Sequence, residues 1–194
     1  FKNKDLKNIF LVVFPEFKYL DRLENFTHLE IKNILTQTPE VIFSILLVDE
    51  KDNFEYFCHK YKVSNKLKKE LSFFASNYTE IRNEKNYLKK DLKKNIYNLG
   101  KIKIKKLIGF LYCVEKNFSI ISLKKVIIEI DKIEIPKFPY TGQFIINQGL
   151  EDGKKIGFVL KELEKEWLES DFNLKEKDAI LIINKVKKLN VLNI

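Results

Sequence analysis

The sequence has no methionine, and among its 194 residues there are only 6 glycines, 4 prolines, 2 cysteines and 1 tryptophan. So few backbone breakers leave long uninterrupted segments, in which apolar residues recur at helical spacing, and that pattern predicts an all-α protein. Cys58 and Cys113 stand far apart, with no CxxC and no Cys/His ligand spacing, which argues against zinc and for buried, reduced thiols. The two histidines, His28 and His59, have no partner pattern. Cys58 and His59 are adjacent, and neighbours on a helix point to different faces, which disfavours a catalytic pair. The longest strongly apolar runs, Ile9–Phe14 and Val41–Val48, fall far short of the ~20 residues of a spanning helix. No signal peptide is visible, so a cytoplasmic protein is expected. A chain that opens on Phe1 and contains no Met is expected to be a piece of something longer or a processed product.

Arginine is also scarce. Arg22 and Arg82 are the only two, so the positive charge is carried by lysines, which act as point charges and not as bidentate forks. The formal net charge of +9 implies attraction to polyanions. The same abundance of Lys, Asn, Ile and Phe is what an AT-rich genome writes everywhere, and both explanations of the basicity stand at this point. Hydrophobic residues make up 45%, with 16 Phe and 8 Tyr, enough to bury a core. The charges are interleaved with apolar residues and do not form disordered blocks.

Along the chain, Leu6, Ile9, Phe10 and Val13 form one apolar stripe ending near Pro15, and Leu20, Leu23, Phe26, Leu29 and Leu35 a second. Thr38-Pro39-Glu40 reads as a helix start, with a cap, a first-turn proline and an acid at the positive end of the dipole. Phe54, Phe57, Cys58 and Tyr61 mark a helix, and Ser64 caps the next, with Leu67, Leu71 and Phe74. Residues Tyr78–Asn86 read as a loop or helix end. Leu88, Leu92, Ile96 and Leu99 stop at Gly100, a C-terminal cap. Ile104 through Glu115 and Ser119–Ile130 continue as helices. Ile156, Leu160, Leu163 and Trp167 make an amphipathic helix with Trp167 on its apolar stripe, and Lys175–Leu189 a last one.

The segment from Ile135 to Gly153 concentrates two of the prolines and three of the glycines and reads as a domain boundary. Pro136 and Pro139 fix an extended approach. Thr141 caps a short helix through Phe144 and Ile145, Gly149 ends it, and Gly153 opens a longer helix, an arrangement much like a helix-hairpin-helix. Glycines allow a partner's backbone to come close, and free amides at a helix start favour a phosphate. Lys154 and Lys155 oppose the dipole of the long helix, a cost that a bound phosphate would reverse and that the preceding Glu151 and Asp152 would also relieve.

Phe138 through Ile145, Gly149 through Leu160, and Leu163, Glu164 and Trp167 together resemble the tail motif of bacterial class II CCA-adding tRNA nucleotidyltransferases and poly(A) polymerases. Lys60-Tyr61-Lys62-Val63-Ser64-Asn65 is similar to that family's Arg-Leu-x-Leu-Ser-Asn element. Phe14-Pro15-Glu16 resembles its leucine/phenylalanine-Pro-Glu turn. The likeness touches most of the chain, with one departure: Gln143 stands where the family usually has Asp. It implies that residues 1–20 end a neck, 21–135 form a helical body and 136–194 a smaller helical tail.

The resemblance further implies that this part holds tRNA or another RNA while a catalytic head, on the same or a separate chain, supplies Mg²⁺ and uses CTP or ATP. No Gly-Ser followed by Asp-x-Asp, no Arg-Arg-x-x-Arg-Asp and no Glu-Asp-x-x-Arg occurs, so no catalytic or metal residue and no cofactor is expected in this chain. The acidic cluster Asp49, Glu50, Asp52 and Glu55 reads as a helix start or solvent face and not as a magnesium site. The residues expected to meet RNA are Lys137, Thr141, Gly142, Gly149, Gly153, Lys154 and Lys155, with Lys101, Lys103, Lys105 and Lys106; the last four also read, and somewhat better, as a solvated helix face. Partners are RNA and the head, with neither membrane nor DNA. Alternatives are the same part of a poly(A) polymerase, or a stand-alone helical RNA-binding or protein-interaction module.

Overall fold

The computed structural model describes residues 4–27, 38–49, 51–83, 91–115 and 119–191. Among them the only regular structure is helical, and the all-α expectation holds. The helices are α1 (Lys4–Val13), α2 (Arg22–Phe26), α3 (Pro39–Leu47), α4 (Asn53–Tyr61), α5 (Asn65–Asn83), α6 (Leu92–Leu99), α7 (Lys101–Val114), α8 (Ile120–Lys132), α9 (Gly142–Asn147), α10 (Gly153–Glu169) and α11 (Glu176–Val191), with a 3-10 turn at Pro15–Phe17. Two compact units divide the chain, Phe1–Ile133 and Glu134–Ile194. His28, Leu29, Leu35, Glu50, Asn86 and Leu88 lie outside the described residues, as does the side chain of Leu6.

The first unit is built around α3 and α7. Helix α3 packs on α5, α7, α2 and α4, and α7 is flanked by α2, α5, α6 and α8. Val41, Ile45 and Leu47 of α3, Leu71 and Phe74 of α5, and Ile104, Leu107, Ile108, Phe110 and Leu111 of α7 are buried. The rings of Phe74 and Phe110 lie 4.7 Å apart between centroids. Truncating either to Ala would cost about 3–5 kcal/mol through lost contact and a residual cavity.

Helix ends are closed locally where the sequence provides a cap. Ser64 Oγ accepts from the Leu67 amide at 3.3 Å, and Ser119 Oγ from Ser122 at 3.1 Å. Thr38 takes the cap position of α3 with extended backbone, but its hydroxyl bonds no helix amide; it serves the Glu40 carboxylate instead. The C-terminal carbonyls of α3 are closed from a distance. Arg22 Nη1 donates to Ile45 O at 3.0 Å and Val48 O at 2.7 Å, with its guanidinium 3.9 Å from the Tyr19 ring centroid.

Of the two readings of Tyr78–Asn86, residues 78–83 are a helix end and not a loop: α5 runs to Asn83, with Tyr78 buried, edge-on to Phe110, its hydroxyl donating to Glu115 at 2.8 Å. One expectation needs correction. Asp49 neither starts a helix nor faces solvent. It is buried and accepts from the Lys51 amide at 3.0 Å and the Tyr19 hydroxyl at 3.3 Å, with Lys18 Nζ also at 3.3 Å. Cys58 and Cys113 are both free and buried.

The second unit has its own core of Tyr140, Ile145, Leu150, Val159, Leu163, Ala179 and Ile183, with Phe138, Phe144 and Ile156 packed against it. Trp167 is buried, edge-on to Phe138 and Phe172. Tyr140 donates to the Leu174 carbonyl at 2.7 Å and so ties the approach to α9 to the entry of α11.

Candidate nucleic-acid interface

The proline- and glycine-rich segment folds as two helices joined by a left-handed turn. Thr141 Oγ1 accepts from the Phe144 amide at 3.3 Å and starts α9. At its end the Gly149 amide donates to Ile146 O at 2.7 Å and the Leu150 amide to Ile145 O at 3.4 Å, the paired bonds of a Schellman stop. Gly149 has φ +81°, and an added Cβ would meet Lys187 Nζ at 3.3 Å. That ammonium group donates to the Gln148 carbonyl, so α11 also holds the turn.

The start of α10 is closed by the chain itself. Asp152 Oδ1 accepts from the Lys154 amide at 2.9 Å and the Lys155 amide at 3.4 Å, and its other oxygen lies 3.7 Å from Lys155 Nζ. The Lys154 and Lys155 amides, expected to be free for a phosphate, are therefore occupied by a carboxylate. Lys137, Thr141, Gly149, Gly153 and Lys154 are exposed, while Gly142 and Lys155 are half-buried. Gln143, at the departure from the family pattern, is exposed and bonds Asn147 at 3.0 Å.

The lysines of α7 are engaged within the first unit. Lys105 pairs with Asp131 of α8 at 2.5 Å and Lys101 donates to the Asp131 carbonyl at 2.9 Å. Lys106 lies 3.6 Å from Glu70 of α5, and Lys103 sits 5.8 Å from the Phe73 ring centroid. Structurally this run ties α7 to α8 and α5.

A different lysine group is less neutralised. Residues 60–69 hold five lysines and no acid, across the turn from α4 to α5. Lys60 pairs with Glu16 at 2.7 Å and Lys66 with Glu40 at 2.6 Å. Among the described residues no carboxylate pairs with Lys62, Lys68 or Lys69, all of which are exposed. Lys62 sits at φ 48°, a left-handed position where glycine or asparagine is the cheaper residue. The first turn of α5 contains no acid, so Lys66, Lys68 and Lys69 oppose its dipole. A groove of about 450 Å³ runs beside them between α4 and α5, lined by Glu55, His59, Asn65, Lys68 and Ser72 among others. No motif spacing marks this group; its signal in the sequence is the density of lysines without an acid.

Charge is unevenly shared between the units. Residues 1–133 carry 26 Lys and Arg against 17 Asp and Glu, whereas residues 134–194 carry 10 of each. The whole excess of +9 therefore belongs to the first unit.

The turn Phe14-Pro15-Glu16 and the element Lys60–Asn65 are in contact. The Glu16 side chain is 3% exposed; its Oε1 accepts from Lys60 Nζ at 2.7 Å and its Oε2 from the Tyr61 hydroxyl at 3.4 Å. Asn53 Nδ2 bridges the Glu16 and Leu47 carbonyls, at 3.0 Å each. Burial pushes the Glu16 carboxyl up, but the hydrogen bonds and charge of Lys60 outweigh it and hold the group below its ordinary value.

No protein-family model, no curated protein and no solved structure matches the chain.

Proposed function

We propose that this chain is an RNA-holding helical part, body and tail, of a nucleotidyltransferase of the CCA-adding or poly(A)-synthesising kind, and that it transfers no nucleotide by itself. The observation that carries the RNA reading is the charge distribution: one unit holds the entire positive excess and leaves exposed ammonium groups without carboxylate partners among the described residues. Duplex RNA presents phosphates, 2′-hydroxyls and shape to a protein, and lysine point charges suit that target.

The choice of enzyme family rests on the sequence likeness. It is supported by the meeting of Glu16 with Lys60, which joins two of the quoted elements across 44 residues. A chance string match has no reason to place its fragments side by side around a buried carboxylate.

The test uses the full chain and a fluorescein-labelled tRNA lacking its 3′ CCA. Anisotropy should show binding that weakens steeply with salt, because phosphate contacts release counterions. Incubation with Mg²⁺, CTP and ATP should leave the RNA length unchanged. No binding at low salt would overturn the RNA reading, and incorporation of nucleotide would overturn the assignment to a non-catalytic part.

A further inference from the structure

The lysines of the α4–α5 turn have no task in the fold that matches their number. Lys60 and Lys66 have structural partners, whereas Lys62, Lys68 and Lys69 lie exposed without a carboxylate partner among the described residues. Their charges add to the positive end of a 19-residue helix that has no acid in its first turn. Such an arrangement is unfavourable for the free protein and favourable once an anion is near. The patch works through side-chain ammonium groups and not through helix amides, since Ser64 already caps α5.

We propose that the turn between α4 and α5 is the principal RNA contact surface of this protein, with Lys62, Lys68 and Lys69 set against backbone phosphates. This rests on the RNA reading above and moves its centre from the tail hairpin to the first unit. Two observations favour RNA over an anionic membrane as occupant. The exposed face of α5 continues past the lysines with Ser72, Ser76 and Thr79, which are neutral hydroxyl residues and offer nothing apolar to insert between lipids. On α4, Tyr56 is 56% exposed beside Lys60, whose ammonium group is 5.8 Å from its ring centroid, the mixture of aromatic and cation that suits unpaired bases and phosphates. The tail lysines, by contrast, share their helix start with Asp152, in a unit with no net charge.

The experiment compares three versions of the whole 194-residue chain binding a fluorescein-labelled RNA hairpin with a single-stranded 3′ end: wild type, the triple variant K62Q/K68Q/K69Q and the double variant K154E/K155E. The triple variant should bind at least about tenfold more weakly at moderate salt, and its slope of log affinity against log salt should fall by about 2–3, one counterion set per lost contact. Circular dichroism should be unchanged, since these side chains are exposed and pair with no carboxylate among the described residues. If the triple variant is less folded, single K68Q and K69Q variants should each still lower the slope by about one. A triple variant with wild-type affinity and slope would overturn the proposal while leaving the RNA reading intact, most clearly if K154E/K155E alone loses binding. A wild-type protein that ignores RNA but binds vesicles containing anionic lipid would overturn both.

Discussion

Glu16 and Lys60 form a 2.7 Å ion pair in which the carboxylate is buried and the lysine stays partly in solvent. Their contact fixes the 3-10 turn at Pro15–Phe17 against the C-terminal end of α4, and Phe17 fills the space beside it, 5.4 Å from the Phe57 ring centroid. Removing one member of a buried charged pair leaves the other short of its hydrogen bonds. Glu16→Gln should therefore destabilise the first unit by about 1–3 kcal/mol. A double-mutant cycle with Lys60→Met, measured by urea unfolding, should show that the two changes are not additive.

Acid should loosen the protein in a defined window. The hydrogen bond from Lys66 holds the Glu40 carboxyl down from 4.5 to about 2, and Glu16 is lowered too. Both groups are easier to protonate in the unfolded chain. The stability they contribute is present above about 4.5 and lost as pH falls through their folded values. Melting temperature followed by circular dichroism should drop across this window. The drop should be smaller in Glu40→Gln, which has no carboxylate to protonate.

Two glycines sit where an L side chain is strained. Gly100 combines φ 82° with ψ 152°, a region that is nearly glycine-only, and Gly149 has φ +81°. Gly100→Ala should cost about 1–3 kcal/mol although nothing lies near its new methyl. Gly149→Ala should cost about 1–2 kcal/mol and also press on Lys187. Thermal melts of both variants check this. Equal stability to wild type at Gly100 would contradict the backbone geometry.

Asp152 separates two roles of the start of α10. Asp152→Ala should lose about 1 kcal/mol by removing the cap. Asp152→Asn keeps an acceptor for the Lys154 and Lys155 amides and removes the negative charge beside them. If the tail contributes to RNA binding at all, Asp152→Asn should tighten it, and fluorescence anisotropy at low salt will show by how much.

The two thiols should react in a fixed order. Burial pushes Cys113 up to about 12 and Cys58 upward as well, so both are poor nucleophiles while the protein is folded. Cys58 lines the groove between α4 and α5, whereas Cys113 lies on the buried side of α7. Timed alkylation read by mass spectrometry should modify Cys58 first, and denaturant should abolish the difference.

What the sequence determined by itself was local. Ser64 and Thr141 act as caps, and Gly149 stops a helix. These outcomes depend on residues within a turn of one another, and their chemistry can be read from adjacent letters. The Asp152 cap is equally local, since it meets the amides two and three residues on. Tertiary structure decided which charges are free. Lys105 finds its carboxylate 26 residues away and Lys60 its own 44 away, while Lys62, Lys68 and Lys69 in the same kind of run find none among the described residues. It also buried Asp49 and carried α5 on to Asn83 through Tyr78. A lysine's spacing along a helix says which face it occupies, but whether that face meets a carboxylate or water is set by how distant segments pack.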